Sequence, residues 1–440
     1  MEHNSLPPRR IIIKEEENHI AEPLQQENQD QEQEQEQEQE QESPTKTTEL
    51  NENSDVRRTE EFHKDAENVV EASGTERSIA TTEWLRPNSL EQSGREIRLL
   101  SQGAYGCVFK PNVTCDGKAG NNRYVSKIQN NDESIQNELN FGKKIMTIDK
   151  FHMFYAPILE SCPVSLNSIS DSEIKKCDIL SKAPAVNLLD KYISTKIRYI
   201  GDKNIKSYLF QLPKIKEVIE QKLYATYQYI IHSLEKLSKN NIVHFDIKEK
   251  NIMYDERNYS PIIIDFGLSF DTSELINKEY EKVFYTDEFY LYWCIDIYII
   301  SYVVQKVRKE DIPKNISKDI LASLLDTYFK NMHKNMNSFA FPMSDDEIRK
   351  LKEKHFDFFT PYIGQPWETL IDVLLKPEYY STWDIYSSAI TYMIICRIID
   401  ISQYNSQKIN NLTELWKSII IALPNERKTF EQIKENIKGV

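Results

Sequence analysis

Glycine is scarce in this chain, with 11 in 440 residues against 24 tyrosines and 17 prolines. That scarcity excludes a collagen-like or Gly-rich low-complexity protein. Cysteine is also sparse. The six, at 107, 115, 162, 177, 294 and 396, form no Cys-x-x-Cys pair, so free thiols in a reducing compartment are expected. Nowhere does an apolar run approach the ~18–20 residues of a membrane helix. The longest, around Ile297–Val304 and Ala389–Ile399, are interrupted by Ser, Thr, Tyr or Arg and read as buried helix. Ile11-Ile12-Ile13, between Arg10 and Lys14, is too short for a secretory core. A cytoplasmic protein with no membrane span is the expectation.

The folded part also lacks an excess of either charge. Residues 1–95 hold 24 acidic and 10 basic side chains, which accounts for the entire net charge of −14; residues 96–440 hold 45 of each. Without a basic platform, no nucleic-acid partner is expected. Gln31 to Gln41 is an alternating Gln/Glu tract in which neither face is apolar. Such a segment buries too little surface to offset its ordering entropy, so 1–95 reads as a disordered acidic tail.

From Ile97 the pattern changes. Ile97–Leu100 and Cys107–Phe109 are short apolar runs around a Gly-bearing turn, and Tyr124–Ile128 alternates with period two. These read as strands, as do Lys191–Tyr199 and Ser207–Gln211. Glu133–Met146 has Ile135, Glu138, Leu139, Gly142, Ile145 and Met146 on one helical face, and 216–239 reads as a long amphipathic helix. After about 290 the chain reads as mostly helical. A small β-rich part followed by a large α-helical part gives an α+β fold class.

Three groups of residues carry chemistry. Gly103 and Gly106, in Ser101-Gln102-Gly103-Ala104-Tyr105-Gly106-Cys107-Val108, allow backbone amides to approach phosphate oxygens with no Cβ between. The loop His244-Phe245-Asp246-Ile247-Lys248-Glu249-Lys250-Asn251 supplies a carboxylate, an ammonium and an amide within six residues. Phosphoryl transfer asks for a group to take or orient a hydroxyl proton, one to balance charge and one to hold a metal. Ile262-Ile263-Ile264-Asp265-Phe266-Gly267 then delivers a further carboxylate at the end of an apolar strand. With Asn251 it makes a pair of hard oxygen ligands suited to Mg2+.

Taken in order, these motifs resemble the eukaryotic-type Ser/Thr protein kinases. The loop at 244–251 is similar to His-Arg-Asp-x-Lys-x-x-Asn, residues 265–267 are Asp-Phe-Gly, and Pro424 to Phe430 resembles the Pro-x-x-Arg-x-[Ser/Thr] phrase that closes the helical lobe. The resemblance implies a bilobal protein-kinase-like fold over 96–437, with an N-lobe at about 96–200, a C-lobe at about 201–437 and insertions near 157–190 and 270–375. It implies ATP and Mg2+ as cofactors, and a protein carrying a Ser or Thr hydroxyl as partner. Asp246 would be the catalytic base and Lys248 the contact to the transferred phosphate. Asn251 and Asp265 would ligate Mg2+. Ser101, Gly103, Gly106 and Val108 would cover the nucleotide, with Lys127 on its α- and β-phosphates and Glu138 as the partner of Lys127. The Asn-, Ile-, Lys- and Tyr-rich wording, with Thr382-Trp383-Asp384, resembles Ser/Thr kinases of giant DNA viruses. On that reading the location is the host cytoplasm or the virion.

Several departures leave alternatives open. Ser101 stands where the first loop glycine is usual, and Phe245 replaces the Arg that receives an activation-loop phosphate, which implies activity independent of that phosphate. No Ala-Pro-Glu is present. Glu368 in Pro366-Trp367-Glu368 is expected as the buried partner of Arg427, with Glu378 as the other candidate. The central-helix Asp is either Asp384 or Asp296, and the hinge lies near Ile197–Lys203. Besides an active Ser/Thr kinase, the pattern admits a non-catalytic scaffold of kinase fold and a small-molecule phosphotransferase of aminoglycoside- or choline-kinase type.

Overall fold

The computed structural model describes residues 96–438 except 104–105, 165, 167–168, 182–190, 309–312 and 405. The tail expected over 1–95 lies outside the described residues. The fold class is α+β, as the sequence implies.

The strand-rich part is a five-stranded antiparallel sheet in the order β1-β2-β3-β6-β5. Its strands are β1 (Arg98–Gln102), β2 (Gly106–Lys110), β3 (Tyr124–Asn130), β5 (Ile158–Pro163) and β6 (Tyr192–Arg198). β4 (Tyr155–Ala156) leaves this sheet and pairs in parallel with β9 (Ser260–Ile264), which pairs antiparallel with β8 (Ile252–Asp255). Helix α1 (Glu133–Met146) packs across β5 at Gly142, where an added Cβ would lie 2.6 Å from the Ile158 carbonyl oxygen. Only a residue without a side chain allows that approach, and it sets how closely α1 lies on β5.

After β6 the chain turns helical. The segment Ser207–Gln211, expected as a strand, is the helix α4 (Ile205–Phe210), because the Asn204 side chain accepts from Ser207 N at 2.8 Å and caps it. A local hydrogen bond at the first turn outweighs the β-tendency of a short apolar run. Two short helices precede it in the segment expected as an insertion, α2 (Asp171–Lys175) and α3 (Asp178–Ser181); the first residues of that segment are β5 itself. Then come α5 (Lys216–Lys239), β7 (Ile242–Val243), β10 (Phe270–Asp271) and the short helices α6 (Thr272–Ile276) and α7 (Tyr280–Val283). The remainder is α8 (Ile295–Tyr302), α9 (Lys318–Phe339), α10 (Asp345–Phe359), α11 (Trp367–Leu374), α12 (Pro377–Tyr380), α13 (Trp383–Ile398), α14 (Gln407–Ile420) and α15 (Phe430–Lys438). Helix α13 is buried on every face from Trp383 to Cys396, with mostly apolar side chains, and packs against α14, α5 and α4.

The expectation of free thiols is corrected for four of the six cysteines. Cys107 is bonded to Cys177 and Cys115 to Cys162, while Cys294 and Cys396 are free and buried. The sequence hid the pairs because partners lie 70 and 47 residues apart and meet only when the chain around Cys177 lies against β2 and β5 brings Cys162 to the loop after β2. Hydrogen bonds from Leu99 N to Glu173 and from the Gln102 side chain to Asp178 hold that segment in place. The inference from scattered cysteines to a reducing compartment therefore loses its basis. No helix among the described residues is long and apolar enough to cross a membrane.

Closing loops of this length is worth roughly 4 kcal/mol each in the chain-entropy account, though one loop is nested in the other and the two do not add. Thiol labelling in denaturant should therefore modify two cysteines without reductant and six with it, and reductant should lower the thermal midpoint. Six reactive thiols without reductant would contradict the pairing.

Candidate active site

Lys127 stands in the middle of β3, opposite Val108 on β2 and Thr195 on β6. Its Nζ reaches Glu138 Oε2 on α1 at 3.0 Å and Asp265 Oδ1 at 3.3 Å. The Lys127 and Glu138 side chains are 13% and 6% exposed, whereas Asp265 is 34% exposed and open on one side. Burial works against the Lys127 charge, yet the carboxylates of Asp265 and Glu138 more than reverse this and raise its pKa. Burial and the neighbouring Asp265 raise Glu138; Asp265 is held below the usual carboxylate range, because burial is outweighed by Lys127, Lys248 and His244. The ammonium is thus fixed as a cation facing an anionic Asp265.

Asp265 has a left-handed backbone, with φ of 62°, and so does Phe245, with φ of 68°. Non-glycine residues there cost about 1–3 kcal/mol unless their surroundings hold them. Phe266, next to Asp265, is buried between Tyr155 and His244. His244 Nε2 donates to Ile264 O, and Nδ1 accepts from Asp246 N. Phe245 N and His244 N donate to the two carboxylate oxygens of Asp384, at 2.9 and 2.7 Å. The turn into the 244–251 loop is therefore held from α13, at a position 140 residues later in the chain.

Within that loop Asn251 Nδ2 donates to Asp246 O and to Asp246 Oδ2, both at 2.9 Å, and Lys248 Nζ lies 3.3 Å from the same Oδ2. The amide nitrogen being committed, Asn251 has its carbonyl oxygen to offer a cation. Asn251 and Asp265 would be the hard oxygen donors to hold a Mg2+ ion. Lys127, Glu138, Asp265, Lys248, Asp246 and Asn251 are linked by direct contacts or by charge coupling, so one site gathers them. On the other side, Gly103 N donates to Gly106 O, closing the turn between β1 and β2. A Cβ on Gly106 would lie 2.8 Å from Ile128 O, so its requirement is close approach to β3. Ser101 pairs with Val108 and is exposed. The chain from Tyr199 to Asn204 joins β6 to α4 where the hinge is expected.

The expected pairing of Glu368 with Arg427 is corrected. Arg427 donates to both carboxylate oxygens of Asp296, with Nη1 to Oδ1 at 3.0 Å, and through Nε to Thr382 Oγ1 at 2.9 Å; Trp383 Nε1 also donates to Asp296. Burial disfavours the Arg427 charge, but Asp296 more than restores it. Glu368 lies in the first turn of α11 and forms no part of this cluster. The two candidates for one role divide the work: Asp384 holds the loop, and Asp296 holds Arg427. Phe245 packs against Phe270, Phe284, Trp293 and Trp383, so an aromatic cluster surrounds the residue before Asp246.

Sequence reasoning missed the segment before α8. Tyr290 donates its hydroxyl to Asp246 Oδ1 at 2.8 Å, Tyr292 donates to Glu249 Oε2 at 2.7 Å, and Trp293 Nε1 donates to Phe245 O at 2.9 Å. The run Phe289-Tyr290-Leu291-Tyr292-Trp293 was its only trace, an aromatic density that packing alone would also explain.

A β-sheet N-terminal part, a helical C-terminal part and this cluster between them give the fold of a protein kinase domain. A family model described as the protein kinase domain matches residues 167–291, a span that takes in the 244–251 loop and Asp265 but not Lys127 or the glycine turn. A curated relative, the "probable inactive serine/threonine-protein kinase samkD" of Dictyostelium discoideum, is 29% identical over 130 residues, a match covering 25% of this chain. The chain spans less than a quarter of that relative's length, 23%.

Removing Asp296 leaves Arg427 charged and buried, which costs about 3–5 kcal/mol when one partner of such a pair is deleted. Asp296→Ala should lose that much in urea unfolding, whereas Glu368→Ala should stay within about 0.5 kcal/mol as a surface change. The opposite ranking would restore Glu368 as the partner.

Proposed function

We propose that the protein is a Ser/Thr protein kinase that transfers the terminal phosphoryl group of Mg-ATP to a protein hydroxyl. The observation that carries the reading is the double engagement of Lys127 by Glu138 and Asp265, next to a loop that presents Asp246, Lys248 and Asn251 together. A metal bound by Asn251 and Asp265 would supply charge compensation for the phosphates. Lys127, kept charged by its two carboxylates, binds and orients the phosphate chain. Gly103 and Gly106 let the β1–β2 turn lie over it. Asp246 holds the acceptor hydroxyl and takes its proton, and Lys248 balances charge at the group in transfer. Because the transition state is loose, most of the acceleration comes from such positioning and charge compensation. Lys248 and the buried Arg427 favour a protein acceptor over a small molecule, since both belong to the protein-directed pattern.

A second reading is a kinase-fold scaffold without transfer. The samkD relative is named as probably inactive, and here Tyr290 already engages Asp246. Against it stands the full set of Lys127, Asp246, Asn251 and Asp265, with Lys127 paired.

Phosphoryl transfer from labelled ATP to a generic basic protein distinguishes them. Asp246→Asn should lower the transfer rate by roughly 10²–10⁴ while Mg-ATP still raises the thermal midpoint; Asp265→Ala should lose the Mg2+-dependent part of that rise. At roughly 100 times Kd, ligand binding adds about 2.7 kcal/mol to the native chain. Stabilisation with no transfer by the native chain would leave the scaffold reading.

A further inference from the structure

The two legs of the glycine turn are held from outside by consecutive residues of one segment. Gln102 ends β1 and faces Cys107 across the turn that Gly103 and Gly106 close. Cys107 is bonded to Cys177. The next residue, Asp178, meets the Gln102 side chain twice: its main-chain N donates to Gln102 Oε1 at 2.8 Å, and its Oδ2 accepts from Gln102 Nε2 at 2.7 Å. A covalent bond on one leg and a two-point polar contact on the other thus fasten the turn to the start of α3.

The attachment continues along the edge of the sheet. Glu173 on α2 is buried and accepts from Leu99 N at 2.6 Å, satisfying a main-chain donor of the edge strand β1. Beneath, Ile169, Cys177 and Leu180 share one apolar cluster with Ile97, Phe109 and Ile128. Gly106 in turn lies tight on Ile128, the residue after Lys127, with no room for a Cβ. The leg of the turn and the strand that carries Lys127 therefore move together. Whatever holds the outer side of that leg sets where the amides of the turn stand relative to the Lys127 ammonium.

We propose that Gln102 and the 171–181 segment position the phosphate-covering turn, and that the Cys107–Cys177 bond makes nucleotide affinity depend on thiol state. The inference rests on the nucleotide site proposed above and deepens it by naming what regulates its affinity. A turn held ready binds at its intrinsic affinity, whereas one in the binding geometry about a tenth of the time binds about ten times more weakly. The reductant required is a dithiol. One of its thiolates attacks Cys177 Sγ and the Cys107 thiolate leaves and takes a proton. The second reductant thiol then displaces the mixed disulfide, so the chain gains two thiols and the reductant closes to a disulfide. Both sulfurs are buried, but their cover is two helices of five and four residues whose bonds to Gln102 are exposed. A unit that small opens locally at low cost, which uncovers Cys177. Gln102 is a positioning residue on this account, acting on the phosphates only through the turn.

Binding of Mg-ATP to the full chain is titrated in the oxidised form and after dithiothreitol. Phosphoryl transfer to a generic basic protein and the thermal midpoint are followed in parallel. The native chain should bind about tenfold more weakly once reduced, and its KM for ATP should rise by the same factor with kcat unchanged within about twofold. Re-oxidation should restore both. Cys177→Ser should bind at the weak level in either condition. Gln102→Ala keeps the disulfide and the apolar cluster, and should weaken binding with no reductant present. Joint replacement Cys115→Ser and Cys162→Ser should lower the thermal midpoint yet keep the native affinity and its response to dithiothreitol. Equal affinity of the oxidised and reduced native chain overturns the redox dependence, and native affinity in Gln102→Ala overturns the positioning role. In either case continued transfer to the basic protein leaves the kinase reading standing. Weak binding on loss of the Cys115–Cys162 bond alone assigns the effect to general loosening and overturns the proposal. No Mg-ATP binding by any form removes both.

Discussion

A single buried ammonium ties the two halves of the fold. Lys127 projects from a central strand, where an unpaired cation would be costly, and its charge is retained because α1 brings Glu138 and the turn after β9 brings Asp265. Each contact imposes a geometric demand on a different element. α1 must lie close to β5, which Gly142 allows, and Asp265 must adopt a left-handed backbone, which the neighbouring contacts enforce. If Lys127 moves, the buried Glu138 loses its cation, and if either carboxylate moves, Lys127 keeps only one of its two partners.

The same economy governs the helical part. The 244–251 loop carries Asp246, Lys248 and Asn251, yet nothing in its own sequence orders it. Asp384 does so by accepting two successive main-chain amides, and α13, buried on every side, cannot shift to follow a mobile loop. The Asp296–Arg427 pair joins the start of α8 to the segment before α15, and Trp383 and Thr382 complete its hydrogen bonds. A buried ion pair so fully bonded gives little net stability over an apolar substitute, but it strongly penalises any arrangement that separates the partners. Its effect is to specify how α8, α13 and the chain end meet.

How legible all this was differs from residue to residue. The glycine turn and the Asp246 and Asp265 phrases were legible as groups suited to phosphate and metal, whereas Lys127 was legible only through the resemblance to protein kinases, because a lone Lys in a strand reads as a surface residue. Glu138 was legible as the charged member of an otherwise apolar helical face. The helix at 205–210 was not, since the stretch read as a strand, Ser207–Gln211, is too short to show a period of its own and Asn204 decided its conformation by capping. The disulfides were hidden by the fold-back that creates them. Asp296 and Asp384 both sit in apolar phrases beginning with Asp, and only their partners distinguish them.

By itself, the sequence determined the α+β order, the acidic head and the identities of the side chains fit for phosphate and metal, because composition, periodicity and reactive group type are local properties. Tertiary structure alone decided which carboxylate meets Arg427, which one steadies the loop, which cysteines join, and that a tyrosine 44 residues away rests on Asp246. Those are choices among chemically equivalent groups, and equivalence is broken only by position in space.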